Sequence, residues 1–201
     1  MKRAILVSGR APLNLEIKAM LPLVSYQLLA TTDNGMEALR FAHRFEPDLI
    51  IMGWDLRGLN SSDVLQNLIG QHLCPIVVVL AQEEQHVLNE VIEADAHNVI
   101  FHPWRALEMA TAIQLAEHRF TRESETLQQI QRLEEELKTR KIIFQAMLSI
   151  IQLRRYSEQA AYSALRNQAM STRKSMRAVA QDVLKGVWIP EPDDQTERSL
   201  V

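Results

Sequence analysis

The chain has 201 residues, 47% of them hydrophobic and 23% charged, with a formal net charge of −3 at pH 7. That length fits one large domain or a domain plus a smaller module, and that hydrophobic share excludes global disorder. The single cysteine, Cys74, excludes an internal disulfide and any multi-cysteine metal site, which suits a reducing compartment.

Met1-Lys2-Arg3 is followed by only four apolar residues, too short for the core of a signal peptide, and no apolar run approaches membrane-spanning length. The expected location is the cytoplasm. Through residues 1–120, short apolar or β-branched runs alternate with helical patterns. The runs are AILV (4–7), QLLATT (27–32), DLIIM (48–52), PIVVVL (75–80) and NVIF (98–101). Between them, 13–24, 35–45, 61–72 and 83–94 place apolar residues at three- and four-residue spacing. Strands separated by helices at these distances predict an α/β fold with a doubly wound, parallel, five-stranded sheet. The unbroken apolar run IVVVL predicts a strand covered on both faces.

After Pro103 the texture changes. From about Ala106 to Leu153 there is neither glycine nor proline, and Glu, Gln, Leu, Lys and Arg dominate. This predicts one long helix. Ile130, Leu137, Phe144 and Ile151 share one heptad position, and Leu133 and Met147 the other, with Arg140 interrupting the seam. Such a seam predicts a coiled coil pairing two copies in a homodimer. The competing reading is one amphipathic helix packed on its own domain. Two shorter helices follow. Ser157 is a candidate N-cap for 158–170, and Ser175 for a helix that stops at Gly186. The domain limits expected are 1–120, a coiled-coil helix at 121–140, a helical module at 133–188 and a flexible tail at 189–201.

From Lys138 to Lys185 stand ten Lys/Arg against two acids, a local charge of +8 in an acidic chain. Such asymmetry points to a polyanionic partner, and nucleic acid is favoured over a solvated helical face. Arg140, Lys141, Arg154, Arg155, Arg166, Arg173, Lys174 and Arg177 are candidate contacts, with Tyr162 as a base-stacking plane or as core. No Ser/His/Asp, Cys/His or paired-carboxylate arrangement supports an enzyme, and neither a metal nor a cofactor is expected. The six histidines show no metal-ligand spacing, although His97 and His102 are near enough in sequence to meet.

PDLIIMGWDLRGLN around the third strand and NVIFHPW around the fifth make residues 1–120 similar to the receiver domain of two-component response regulators. That resemblance implies an acidic pair after strand one, a phosphoaccepting Asp after strand three, a hydroxyl after strand four and a Lys before a Pro after strand five. Carboxylates there hold Mg²⁺ and attack phosphorus, while the hydroxyl and ammonium bind phosphoryl oxygens. Here those positions carry Ser8 and Gly9, Gly53, Leu80, and His102 before Pro103. The expectation is a degenerate pocket without phosphoryl chemistry, with His102 filling it as a neutral, hydrogen-bonded imidazole or acting as a sensor. Asp55 would stand in for the acceptor only after a register shift. Trp54 and Trp104 either pack the pocket or dock a partner.

Arg140, Ile143, Ala146, Ser157-Glu158, Ala160-Ala161-Tyr162, Leu165-Arg166, Ala169-Met170 and Ala180 make the last third similar to the ANTAR domain of AmiR/NasR transcription antitermination regulators. That likeness implies a small three-helix module that dimerises and binds paired stem-loops in a nascent transcript, and so lets polymerase read through a terminator. Receiver, coiled coil and ANTAR in that order form the AmiR-like layout, which implies control by a partner protein on the pseudo-receiver. One departure is Ala146-Met147-Leu148, where the family has Ala-Lys-Gly, which puts RNA affinity or target choice in doubt. Two alternatives stand beside this: an interaction adaptor that binds no RNA, and a phosphorylated response regulator acting on DNA.

Overall fold

The computed structural model describes residues 1–191. These fall into two compact units, Met1–Thr126 and a second that begins at Leu127, each with its own core.

The first unit is a five-stranded parallel sheet in the order β2-β1-β3-β4-β5, formed by Lys2–Val7 (β1), Tyr26–Thr32 (β2), Leu49–Met52 (β3), Ile76–Ala81 (β4) and Asn98–His102 (β5). Each strand lies within a residue or two of its apolar run. Alternation sorts the side chains into two layers. Ile5, Val7, Ile50, Met52, Val78 and Leu80 face one cluster, while Ala4, Leu6, Leu49, Ile51, Val77 and Val79 face the other. β4 is buried along its whole length, as its unbroken apolar run requires.

Helices Ala11–Met20 (α1), Gly35–Phe45 (α2), Ser61–Gln71 (α3) and Leu88–Glu93 (α4) connect the strands. The expected helix at 13–24 ends early. Pro22 lacks the N–H that would continue the ladder, so Leu21–Val24 tightens into a 3₁₀ turn that closes on Ser25 at φ 66°. The segment 83–94 likewise divides, with Gln82–Val87 a 3₁₀ turn before α4. Asn34 and Asn60 cap α2 and α3 through their side chains, each accepting a first-turn N–H.

Helix α5 runs unbroken from Ala106 to Arg154, and its first turns place Met109, Ala112, Ile113 and Ala116 on the sheet. In the second unit Ala146, Met147 and Ile150 of α5 share a core with Ala161, Leu165 and Ala169 of Glu158–Thr172 (α6) and with Val179, Ala180 and Val183 of Met176–Leu184 (α7). Small residues on α6 let the three helices approach. The Ser157 hydroxyl accepts from Ala160 N–H, and that of Ser175 accepts from Ala178 N–H, so both serines are N-caps. Trp188 packs on this core and Pro190 is buried, so the tail expected at 189–201 begins as packed chain; 192–201 lie outside the described residues. Among the described residues no helix is long and apolar enough to cross a membrane.

Candidate functional site

Two regions carry the sequence candidates, and the first lies at the C-terminal ends of β1 and β3, where a doubly wound sheet places its functional edge. Ser8 and Gly53 are buried there, and Gly9 is exposed. A Cβ on Gly53 would stand 3.0 Å from Asp55 Oδ1 and 3.0 Å from Ser8 Oγ, and one on Gly9 would stand 3.0 Å from Asp55 Oδ2. The Asp55 carboxylate therefore reaches back and fills the space that both glycines vacate. It accepts a long hydrogen bond from Ser8 Oγ (3.5 Å) and lies 3.9 Å from Arg10 Nε. The Arg10 guanidinium also pairs with Glu84 (2.6 Å) and Glu83 (3.7 Å), and Glu84 Oε2 accepts from the Ala81 N–H. One chain of contacts thus ties the β1, β3 and β4 loops together.

His102 does not fill that space. It stands at the end of β5 with Nε2 3.1 Å from Glu16 Oε2, and Trp104 sits edge-on to its ring. Leu80 is fully buried in the core and carries no hydroxyl. Trp54 and Trp104 both pack on the core layers. Sequence reasoning gave Asp55 a minor part and missed Arg10 altogether. The run Ser8-Gly9-Arg10 facing Gly53-Trp54-Asp55 was the available signal, since two glycines leave room for one carboxylate and Arg10 supplies its counter-ion. Among the described residues no group of three or more His, Cys, Asp or Glu is placed to hold a metal ion.

His97 and His102 do not meet, because β5 separates them end to end. His97 is buried beneath α5. Its Nδ1 accepts from the Ile76 N–H (3.1 Å), its Nε2 lies 3.5 Å from Glu123, and Phe120 packs edge-on to the ring. Burial, more than any neighbouring charge, lowers its pKa below the ordinary histidine value.

The second region is the basic surface of the helical unit. Arg140, Lys141, Arg155, Tyr162, Arg166, Arg173 and Lys174 are exposed, while Arg154 and Arg177 are half-buried. Tyr162, Arg166, Met170 and Arg173 follow one another at helical spacing, which lays an exposed stripe along α6. Tyr162 is 45% exposed, so its ring is open on that face. Two of the cations are engaged within the chain: Arg177 pairs with Glu135 (2.7 Å) and Lys174 with Asp182 (2.8 Å). Arg155 and Arg173 end α5 and α6 at φ 56° and 54°, where glycine would be less strained.

Of the heptad residues, Ile130, Leu133, Leu137 and Phe144 are 48–64% exposed on α5. Met147 and Ile151 face inward instead and pack with α6 and α7. Met147 thus lies on the side of α5 that apolar side chains close over, and Leu148 remains on the surface.

Comparison with known proteins follows the same division. The response regulator receiver domain family matches residues 11–114, and the ANTAR domain family matches 131–184. The chain belongs to the receiver family. It is an ANTAR-type regulator with a receiver domain in front. The transcriptional regulatory protein PdtaR of Mycobacterium tuberculosis is 25% identical over 190 residues, which cover 94% of this chain and 93% of PdtaR. The transcriptional regulatory protein YdfI of Bacillus subtilis is 28% identical over 71 residues, or 35% of this chain and 33% of YdfI. Among solved structures, the signal receiver domain of a modulated diguanylate cyclase from Desulfovibrio desulfuricans G20 superposes with TM-score 0.56 at 20% identity, covering 61% of this chain and 98% of that one. The receiver domain of a Luxo repressor protein from Vibrio parahaemolyticus gives 0.53 at 21% identity, covering 62% and 96%. At these identities the structures establish the receiver fold alone. Proteins of the receiver and ANTAR families are typically transcription regulators rather than enzymes.

Proposed function

We propose that this protein binds RNA as a transcription antitermination regulator, and that its receiver half is controlled by a partner protein without phosphoryl transfer. The observation that carries the second half is the Asp55 carboxylate lodged against Gly53, Gly9 and Ser8 and held near Arg10. Phosphoryl transfer in a receiver needs a divalent ion, a free carboxylate and a lysine. Ser8 and Gly9 offer no anionic ligand, and His102 is engaged with Glu16.

The RNA half is supported by the ANTAR match and by the stripe of Tyr162, Arg166 and Arg173, which joins a stacking plane to guanidinium groups. A second copy of the chain is the proposed cover for Ile130, Leu133, Leu137 and Phe144, which would set two modules on paired stem-loops.

Binding to an RNA with two short stem-loops, titrated across salt beside duplex DNA of equal length, tests this reading. Selective RNA binding with a steep salt slope is expected, and its loss on neutralising Arg140, Arg166 and Arg173 together. Equal binding of RNA and DNA, or of neither, would leave the interaction adaptor as the better description. The Ala146-Met147-Leu148 departure favours that alternative, and so does the intrachain pairing of Lys174 and Arg177.

A further inference from the structure

Helix α6 turns Ala161, Leu165 and Ala169 into the core of the helical unit, and that fixes what its other side presents. Gln159, Tyr162, Ser163 and Arg166 are all exposed there. They form a closed set of helical neighbours: Gln159 stands three residues from Tyr162 and four from Ser163, and Arg166 four from Tyr162 and three from Ser163. Pairs at these spacings have β-carbons about 5–6 Å apart, so a ring, an amide, a hydroxyl and a guanidinium lie side by side. Among the described residues none of these four side chains has a hydrogen-bond or ion-pair partner. Lys174 and Arg177, by contrast, are committed to acids of the same unit.

Charge orients a nucleotide along this face. Glu158 lies one turn before Tyr162, whereas Arg166 and Arg173 lie one and three turns beyond it. A phosphate is repelled at the first end and attracted at the second. The base of the same nucleotide is thereby directed to the N-terminal side of Arg166, over the open Tyr162 ring and within reach of Gln159. Stacking on tyrosine is indifferent to base identity, and a serine hydroxyl pairs with any base. The carboxamide of Gln159 discriminates, because it donates and accepts through one planar group and so matches N7 and the N6 amino group of adenine.

We infer that this turn of α6 is a platform for one unstacked adenine of an RNA loop. Tyr162 stacks on the base, Gln159 determines its identity, and Arg166 holds the adjoining phosphate. The assignment rests on the RNA-binding reading and adds to it the base that each module selects.

Equilibration of the full-length protein with a pool of paired RNA stem-loops whose loops are randomised, followed by sequencing of the bound fraction, tests the platform. The wild type should enrich adenine at one loop position about ten-fold over the other bases. In Gln159→Ala that preference should vanish, while affinity for the pool and its salt slope change little. Placing 7-deazaadenosine at the enriched position should weaken binding to the wild type but not to Gln159→Ala. Tyr162→Ala should weaken binding to the enriched RNA by roughly five- to 100-fold, and Tyr162→Phe, which keeps the ring, should retain it. Enrichment of another base, an adenine preference that survives in Gln159→Ala, or equal losses in the two Tyr162 variants overturns the inference. RNA binding without any base preference also overturns it and leaves the antitermination reading standing, whereas absence of RNA binding removes both.

Discussion

Asp55 Oδ1 stands 3.0 Å from the point where a side chain on Gly53 would begin, so one carboxylate occupies the space of another. A side chain at position 53 would crowd this Asp55 conformation, so one of the two must shift. The glycine and the displaced aspartate form a single packing solution.

Restoring an acceptor by Gly53→Asp should therefore destabilise the protein by roughly 1–3 kcal/mol, the usual range for overpacking a filled site. Urea denaturation measures this. Asp55→Ala in the same chain should return most of the loss, because the two positions share one space and are not additive. Incubation of the wild type with acetyl phosphate and Mg²⁺ should leave no phosphoprotein, and labelling at Asp55 would sink the phosphate-independent reading.

His97 makes stability depend on pH. Its folded pKa is lowered, chiefly by burial, so the unfolded chain binds the proton more tightly. Stability from this residue is fully present above the unfolded value of about 6.5 and falls as pH drops from there toward the lowered folded value. The urea midpoint of the wild type should fall between neutral and mildly acidic pH. In His97→Gln, whose amide oxygen can still accept from the Ile76 N–H, the part of that fall due to His97 should vanish.

Arg173 separates folding from binding. It ends α6 at φ 54°, where a β-carbon is strained, and Arg173→Gly relieves that strain while adding freedom to the unfolded chain. Stability should change by less than about 1 kcal/mol. RNA affinity should fall all the same, with the salt slope reduced by about one. An unchanged slope would remove Arg173 from the interface.

The exposed residues of α5 report on self-association. Leu137→Glu with Phe144→Glu should give a monomer by analytical ultracentrifugation and leave the helical signal of the module nearly intact. Both side chains are more than half exposed in the single chain, so their replacement costs the fold little. A surviving dimer would place the interface elsewhere.

The caps of the ANTAR module can be tested one at a time. Ser157→Ala and Ser175→Ala should each cost about 1 kcal/mol, because each removes the acceptor for one first-turn N–H. Thermal denaturation followed by circular dichroism reads both.

Much of this architecture was legible in the chain itself. β4 reads as buried because IVVVL has no polar residue to face water, and α5 reads as one helix because nothing between Ala106 and Leu153 interrupts the backbone ladder. Ser157 and Ser175 announce helix starts through their own hydroxyls. These are local properties, set by residues within a turn or two of one another.

What only the tertiary structure decided depends on groups distant in sequence. Asp55 follows Gly53 by two residues, but its carboxylate finds its place through Ser8, Gly9 and Arg10 across the sheet. Met147 fits a heptad seam by spacing, yet α6 and α7 close over it, and apolar burial takes the nearer partner. Lys174 and Arg177 look as free in the chain as Arg166 does. Folding brings Asp182 and Glu135 within 3 Å of them, and a periodic pattern carries no information about which distant charge will be there.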